Sequence, residues 1–419
     1  MTSTVLKIWN ESGTAEGIHS SRPVPRKALD ATQLVEKRWK LLPINTTARA
    51  ALSDDASAAD PARFHRNIEN FIGTVKLPVG LAGPLHIRGE HASGHYYLPL
   101  ATTEAALVAS FSRGAQLITE SGGCLTAVLS EAVSRTPGFA FGTLHEAAAF
   151  CSWLETQREH FRVVAANTTR FGHLTTMRSV VEGNNVYVDF QYETGDAAGQ
   201  NMVTFATEAV CRDIVARTPV APRYWFIEAN LSGDKKASAR VLSAARGRRV
   251  SAEVRVPGEL VRSRLHTTTE RLVDYWRMAA LGGVQAGTIG VQGQYANGLV
   301  ALYIACGQDP ACVAESATGI TRFEVTEDGA LYASVTLPNV IVGTVGGGTG
   351  LPSQAACLEI LRCSGQGSSR ILAEICAGTA LAGELSICGA MCSHDFARAH
   401  AERARGAALA GTHGGRCHD

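Results

Sequence analysis

The chain has 419 residues, 45% of them hydrophobic, enough to bury a sizeable core and to divide it between two or more domains. Lys plus Arg number 39 against 38 Asp plus Glu, and a net charge of +1 gives no general field to draw nucleic acid or an anionic membrane surface. Eleven cysteines without CxxC spacing, no charged-then-apolar leader and no long uncharged apolar run point to a reduced, soluble, cytoplasmic protein without a metal site.

Residues 1–65 mix Pro, Ser, Thr and charge with one helical patch around Ala31 to Leu42, an arm or small helical domain. From IENFIGTVKLPVGLAGPLHI onward, β-branched residues punctuated by Gly and Pro predict short strands and tight turns. ATTEAALVASFSRGAQLITES then spaces Leu107, Phe111, Ala115 and Ile118 for one face of a long helix, with Thr102 or Thr103 as N-cap and Glu104 in the first turn. Between about Thr136 and Phe226, helical stretches (LHEAAAFCSWLETQREHF, MVTFATEAVCRDIVART) alternate with strand-like ones (SVVEGNNVYVDFQYET), an α+β order with its own core. A strand in RRVSAEVRVPG follows, then a helix LVRSRLHTTTERLVDYWRMAALGG and a small-residue helix from about Met278 suited to close packing. Strands in ALYASVTLPNVIVGTV precede a helical C-terminal third and a polar tail.

Two glycine-rich stretches precede helices, GDAAGQNM at 195–202 and GTVGGGTG at 343–350, the second followed by Pro352 in a favourable first-turn position. Small residues there let backbone N–H groups approach a phosphate, and two such stretches in one chain favour a large phosphate-bearing ligand. Neither fits GxGxxG or a Walker motif, and each alone also reads as a turn needing positive φ. FIEANLSGDKKASA sets Lys235 and Lys236 behind Asp234 among small and apolar residues, with Glu228 upstream, a poor setting for a merely solvated loop. Asp309 in YIACGQDPAC and Glu104 could each be simple helix caps, and His400 in HDFARAHAERARG a surface histidine. The residues alone describe an anion-binding, dinucleotide-compatible α/β protein.

In order, ENFIG, LPVGLAGPL, ATTEAALVAS, RFGHL, GDAAGQNM, GDKKASA, TTTE, YIACGQDPA and GTVGGGT resemble the soluble, class I-like catalytic portion of the 3-hydroxy-3-methylglutaryl-CoA (HMG-CoA) reductase family, from about Glu69 to Arg405. The resemblance implies an α+β fold. A large CoA-thioester domain with a long central helix would span 66–136 and 227–400, with an inserted ferredoxin-like NADP(H)-binding domain at 137–226 and a tail at 401–419. It implies four-electron reduction of HMG-CoA to mevalonate with release of CoA, using NADPH in preference to NADH, in a homodimer or higher oligomer with active sites at the subunit interface. A reductase of a different acyl thioester, or a non-catalytic acyl-CoA or nucleotide-binding homologue, are the alternatives.

Carried over by the resemblance, Lys235 would polarise the thioester oxygen, Glu104 donate a proton, Asp309 tune both, and His400 protonate departing CoA thiolate. Glu69, Asn70, Arg135, Asp234, Lys236 and Asn297 would contact substrate. Arg170, Phe171, Asp196, Gly199, Asn201 and Gly346, Gly347 and Gly348 would line the dinucleotide site. Three positions depart from the family pattern. Glu228 stands for a serine in the loop that grips the acyl group, Met278 for a lysine of the catalytic network, and Gln294 for a histidine. Gly406 replaces the serine that some members phosphorylate.

Overall fold

The computed structural model describes residues 24, 30–54, 59–65, 67–243 and 246–393; the expected role of His400 and the 401–419 tail lie outside them. The chain divides into two compact units, Met1–Lys76 and Leu77–Asp419. The first carries helices Ala31–Trp39, Thr46–Leu52 and Pro61–His65, the first two opened by Asp30 and Asn45, whose side chains accept the N–H of Thr32 and Ala48. The helical patch read at Ala31 is therefore present. Arg38 is buried and donates from Nη1 to the Phe71 carbonyl at 3.0 Å.

The second unit is built on ten strands: β1 (Val79–Gly89), β2 (Ser93–Ala101), β3 (Cys124–Arg135), β4 (Gly138–Ala140), β5 (His173–Glu182), β6 (Asn185–Glu193), β7 (Tyr224–Phe226), β8 (Gly247–Val256), β9 (Ile320–Val325) and β10 (Leu331–Val340). Strand β3 passes from one ladder to another. Its Leu125 to Ala132 pair antiparallel with β8, whereas Val133, Ser134 and Arg135 pair with Tyr192, Gln191 and Phe190 of β6. Around β6 the spatial order is β7–β4–β6–β5, with helices Leu144–Thr156 and Arg158–Ala166 between β4 and β5 and helix Gln200–Arg217 between β6 and β7. That is a βαββαβ unit, the ferredoxin-like arrangement. Phe139, Phe141, Phe150, Phe161, Phe190 and Ile214 fill its separate core.

The larger core gathers on helix Ser368–Cys392, long and apolar enough by composition to cross a membrane but 89% buried inside the protein. It is a core helix, with 21 of its residues buried among the described part of the chain. Helix Leu107–Glu120 packs against it with Leu107, Phe111, Ala115 and Ile118 buried, the face read from their spacing. A Cβ on Gly298 or Gly383 would meet the Phe111 ring, so this phenylalanine is accommodated by two glycines on neighbouring helices.

Three local expectations are corrected. Thr102 Oγ1 accepts the Glu104 N–H at 3.0 Å in a side-chain turn that competes with the helix, which begins only at Leu107 after Ala106 in a left-handed conformation (φ 70°). Glu104 is therefore in the loop before the helix. The segment after β8 forms two helices, Gly258–Leu265 and Thr269–Ala286, because His266 is left-handed (φ 53°) and Thr268 restarts the helix by accepting the Arg271 N–H. Within the described residues, the small-residue stretch lacks close packing: Met278 is 75% exposed, with Leu281 and Val284 exposed beside it.

A Cβ on Gly114 would strike the backbone of Ala382, which the buried helix cannot move aside. Gly114→Ala is expected to cost about 1–3 kcal/mol, the usual overpacking range, read as a lowered Tm in thermal unfolding.

Candidate active site

The turn at Gly233–Lys236 is closed by the Lys236 N–H on the Gly233 carbonyl at 3.1 Å, and Lys235 occupies its third position with φ 56°. The Lys235 Nζ reaches Asp309 Oδ2 at 2.7 Å. Asp309 opens the short helical turn Pro310–Cys312 and its other oxygen, Oδ1, accepts the Ala311 N–H at 3.0 Å. Capping and pairing thus coexist on one carboxylate. The hydrogen bond from Lys235 to Asp309 holds the ammonium above its ordinary value, against the opposing pull of partial burial. The paired ends are each about two-fifths exposed, so the pair faces solvent.

Behind the turn runs a chain of alternating charges. Arg246, fully buried, donates from Nε to Glu315 at 2.8 Å, from Nη1 to the Ser134 carbonyl at 3.0 Å and from Nη2 to Asp234. Asp234 also accepts Arg135 Nη1 at 3.0 Å, and the same nitrogen donates to Glu228 at 3.1 Å. One guanidinium therefore meets two carboxylates. Arg135 Nε and Glu228 Oε1 are buried and have no hydrogen-bond partner among the described residues. Lys236 is exposed and donates from Nζ to the Asp234 carbonyl at 3.0 Å.

Glu104 is exposed and receives weak contacts at 3.4 and 3.5 Å from Asn297 Nδ2 in the first turn of helix Tyr295–Ala305. No hydrogen bond or ion pair joins Glu104 directly to Lys235 or Asp309 among the described residues. Gln294 is buried, not presented to a ligand: its N–H and that of Gly293 go to Glu384, and its Nε2 to the Gly383 carbonyl. Burial pushes the Glu384 carboxyl up despite those donors. Glu69 is exposed and Asn70 is left-handed (φ 55°); both belong to the first unit.

The two glycine-rich stretches meet each other. Ala197 bridges Val345, the Thr344 N–H goes to the Asp196 carbonyl at 2.8 Å, and a Cβ on Gly343 would strike the backbone of Asp196 to Ala198. Gly348 lies against Gly307, two residues before Asp309, so the 343–350 turn abuts the lysine's partner segment. Gln308 ties them with a paired bond to the Gly343 backbone, N–H and C=O, at 2.8 and 2.9 Å. Gly346 (φ 76°) and Gly347 (φ 56°) are exposed with open space where a Cβ would be. Gly199 (φ 78°) begins helix Gln200–Arg217 without a side-chain cap and Asn201 is exposed beside it, leaving that N-terminus open to an anion. Arg170 and Phe171 are exposed in a turn organised by Thr169, whose hydroxyl also contacts Met202 near the same helix start. Asp196 is committed elsewhere, accepting from the Gly367 N–H, the Ser369 N–H and the Ser369 hydroxyl at 2.8–3.1 Å at the start of the long core helix.

Sequence reading missed Glu315, Arg246, Gln308 and Glu384. For Glu315 and Glu384 the available signal was a lone carboxylate in an uncharged, mostly apolar or small-residue run; Arg246, in a basic stretch, and uncharged Gln308 carried no such signal.

The hydroxymethylglutaryl-coenzyme A reductase profile matches residues 34–405. A 3-hydroxy-3-methylglutaryl-coenzyme A reductase of Pyrococcus horikoshii is 43% identical over 343 residues, covering 80% of this chain and 83% of that protein. The chain belongs to the hydroxymethylglutaryl-CoA reductase family. A Haloferax volcanii reductase of the same name is 42% identical over 383 residues, covering 90% of this chain and 94% of its own length. Among solved structures, the class II reductase of Streptococcus pneumoniae bound to NADPH in open conformations has a TM-score of 0.65 at 21% identity, over 85% of this chain and 96% of that one, a likeness of fold.

Burial raises the Asp196 carboxyl, but the Ser369 and Gly367 donors and Arg248 outweigh it and leave it below its ordinary 3.8. A depressed folded value contributes stability that is fully present above the unfolded value and is lost as pH falls through the folded one. Acid unfolding followed by circular dichroism is expected to show Asp196→Asn less stable at neutral pH by about 1 kcal/mol, with the difference from wild type shrinking below about pH 4.

Proposed function

We propose that the protein reduces HMG-CoA to mevalonate at the Lys235–Asp309 pair, with two NADPH consumed for each CoA released. The observation that carries the reading is that pair: a lysine in a strained turn with its ammonium held charged by a carboxylate, beside the glycine-rich segments. Exposed Gly346 and Gly347 and the uncapped helix start at Gln200 fit a dinucleotide's phosphates. Arg170, Phe171, Gly199, Asn201 and Gly348 would complete that site, with Asp196 fixing its floor. NADPH supplies the hydride for each of the two reductions.

As the thioester carbon gains a hydride, its oxygen becomes an alkoxide, and a fixed ammonium stabilises that developing charge. Lys235 fills this role. Asp309 keeps the ammonium charged and aimed. When the hemithioacetal collapses, the C–S bond breaks and the CoA thiolate takes a proton from His400. The resulting aldehyde accepts the second hydride while Glu104, steadied by Asn297, donates the proton that completes the alcohol. Lys236 and Asp234 would border the acyl-CoA. A homodimer with active sites at its interface is part of the proposal, supported by the exposed Met278, Leu281 and Val284 on a helix face that the described residues leave uncovered.

A second reading is favoured by Glu228 on Arg135. An arginine shared by two carboxylates offers an incoming carboxylate no net positive charge, which suits an acyl thioester with a neutral distal end.

Purified protein with HMG-CoA and NADPH is expected to give mevalonate at two NADPH oxidised per CoA, followed at 340 nm with the product identified by mass. Lys235→Ala is expected to lower kcat by about 100–1,000-fold with NADPH binding retained; unchanged turnover would refute the assignment. Glu228→Ser is expected to raise kcat/KM for HMG-CoA about tenfold, equivalent to roughly 1.4 kcal/mol. The same substitution should leave an acyl-CoA without the distal carboxylate nearly unaffected.

A further inference from the structure

We infer that Glu315 is a positioning residue for this reaction, holding the backbone of Lys235 so that its ammonium meets Asp309. The inference rests on the reading of Lys235 as the group that stabilises the alkoxide. The turn Gly233–Lys236 has a positive φ only at its third residue among the two central ones, the signature of a type II turn, where glycine or asparagine is usual. Lysine there works against its own Cβ.

The hydrogen bond that closes the turn uses the Lys236 N–H, which leaves the Lys235 N–H without a partner inside the turn. Glu315 Oε1 accepts it at 3.1 Å. The direction of that N–H is what separates a type II turn from a type I turn: rotating the central peptide converts one to the other and returns Lys235 to negative φ. A buried carboxylate on one side of the peptide therefore selects the orientation in which Lys235 stands. Glu315 has no exposed surface, and its Oε2 is fixed by Arg246 Nε at 2.8 Å, so the acceptor cannot wander.

Asp309 and Glu315 come from one continuous stretch, the turn Pro310–Cys312 followed by helix Val313–Ser316. One rigid segment grips the lysine at both ends, the backbone N–H by Glu315 and the ammonium by Asp309. The titratable and charged groups around the ammonium are Asp309, Cys312 and Asp234, so its protonation depends on where the backbone sets it.

Steady-state kinetics across pH on Glu315→Ala and Glu315→Gln tests this. In Glu315→Ala, kcat is expected to fall at least about tenfold, with KM for acyl-CoA and for NADPH within about threefold of wild type, as a displaced reacting group requires. The alkaline limb of the kcat profile should move to lower pH, because an ammonium parted from Asp309 loses the contact that raises it. Glu315→Gln, which retains an oxygen for the N–H, should recover most of kcat. Unchanged kcat and limb in Glu315→Ala would overturn the inference, as would equal losses in both variants that follow the melting temperature with the limb unmoved. Should Glu315→Ala not fold, hydrogen exchange on the wild-type protein decides. A Lys235 amide slower than the other exposed amides of its loop supports the inference, and one equally fast overturns it. Turnover surviving in Lys235→Ala would instead refute the catalytic assignment and leave the hydrogen bond standing.

Discussion

A guanidinium cut off from water must have its donors answered by the protein, and Arg246 is the position on which the site's geometry depends. It sits at the threshold of β8, with its N–H on the Asn339 side chain and its side chain spread to Glu315, Ser134 and Asp234. The three partners of its side chain belong to different segments: Ser134 to the strand that crosses between ladders, Asp234 to the lysine turn and Glu315 to the segment after Asp309. Satisfying one buried cation therefore fixes three segments against one another. Burial raises the carboxyl of Glu315, and the neighbouring guanidinium is the principal influence that opposes it.

The same charge chain explains how a departure from the family pattern is accommodated. Glu228 would be an unpaired carboxylate beside Asp234 if Arg135 did not lie between them. Arg135 emerges at the end of β3, where the strand leaves the larger ladder for the ferredoxin-like unit, so the arginine stands at the seam. A change from a neutral side chain to a carboxylate at 228 thus alters the electrostatics around Arg135 while leaving the Lys235–Asp309 pair in place. Gln294 shows the opposite case: it is absorbed into the packing of the long core helix through Gly383 and Glu384.

Backbone approach, more than side-chain chemistry, joins the two glycine-rich segments. Gly343 sits against Asp196 to Ala198, and Gly307 against Gly348, at separations that leave no room for a Cβ. The 195–201 and 343–350 segments and the approach to Asp309 are consequently one contiguous surface, with the uncapped start of helix Gln200–Arg217 opening on it. Of the glycines in these motifs, Gly199, Gly343 and Gly348 serve protein packing, and Gly195, Gly346, Gly347 and Gly350 are left exposed.

Periodicity and turn chemistry determined much of the fold from the sequence alone. Leu107, Phe111, Ala115 and Ile118 are buried on one helix face because a 3.6-residue period has one inward stripe whatever the partner. The alternation of helices and strands gave an α+β order with its own core, its ferredoxin-like arrangement was implied only by the resemblance, and ordered strings from ENFIG to GTVGGGT identified the family. Local competition was harder to read: the Thr102 hydroxyl displaced Glu104 from its helix, and left-handed His266 split another. Tertiary structure alone decided that Glu315 meets Lys235, that Arg246 collects its ring of acceptors and that Glu228 shares Arg135 with Asp234. The physical reason is that a hydrogen bond or ion pair between residues remote in sequence leaves no periodic trace, and the burial that makes it strong exists only once the chain has folded.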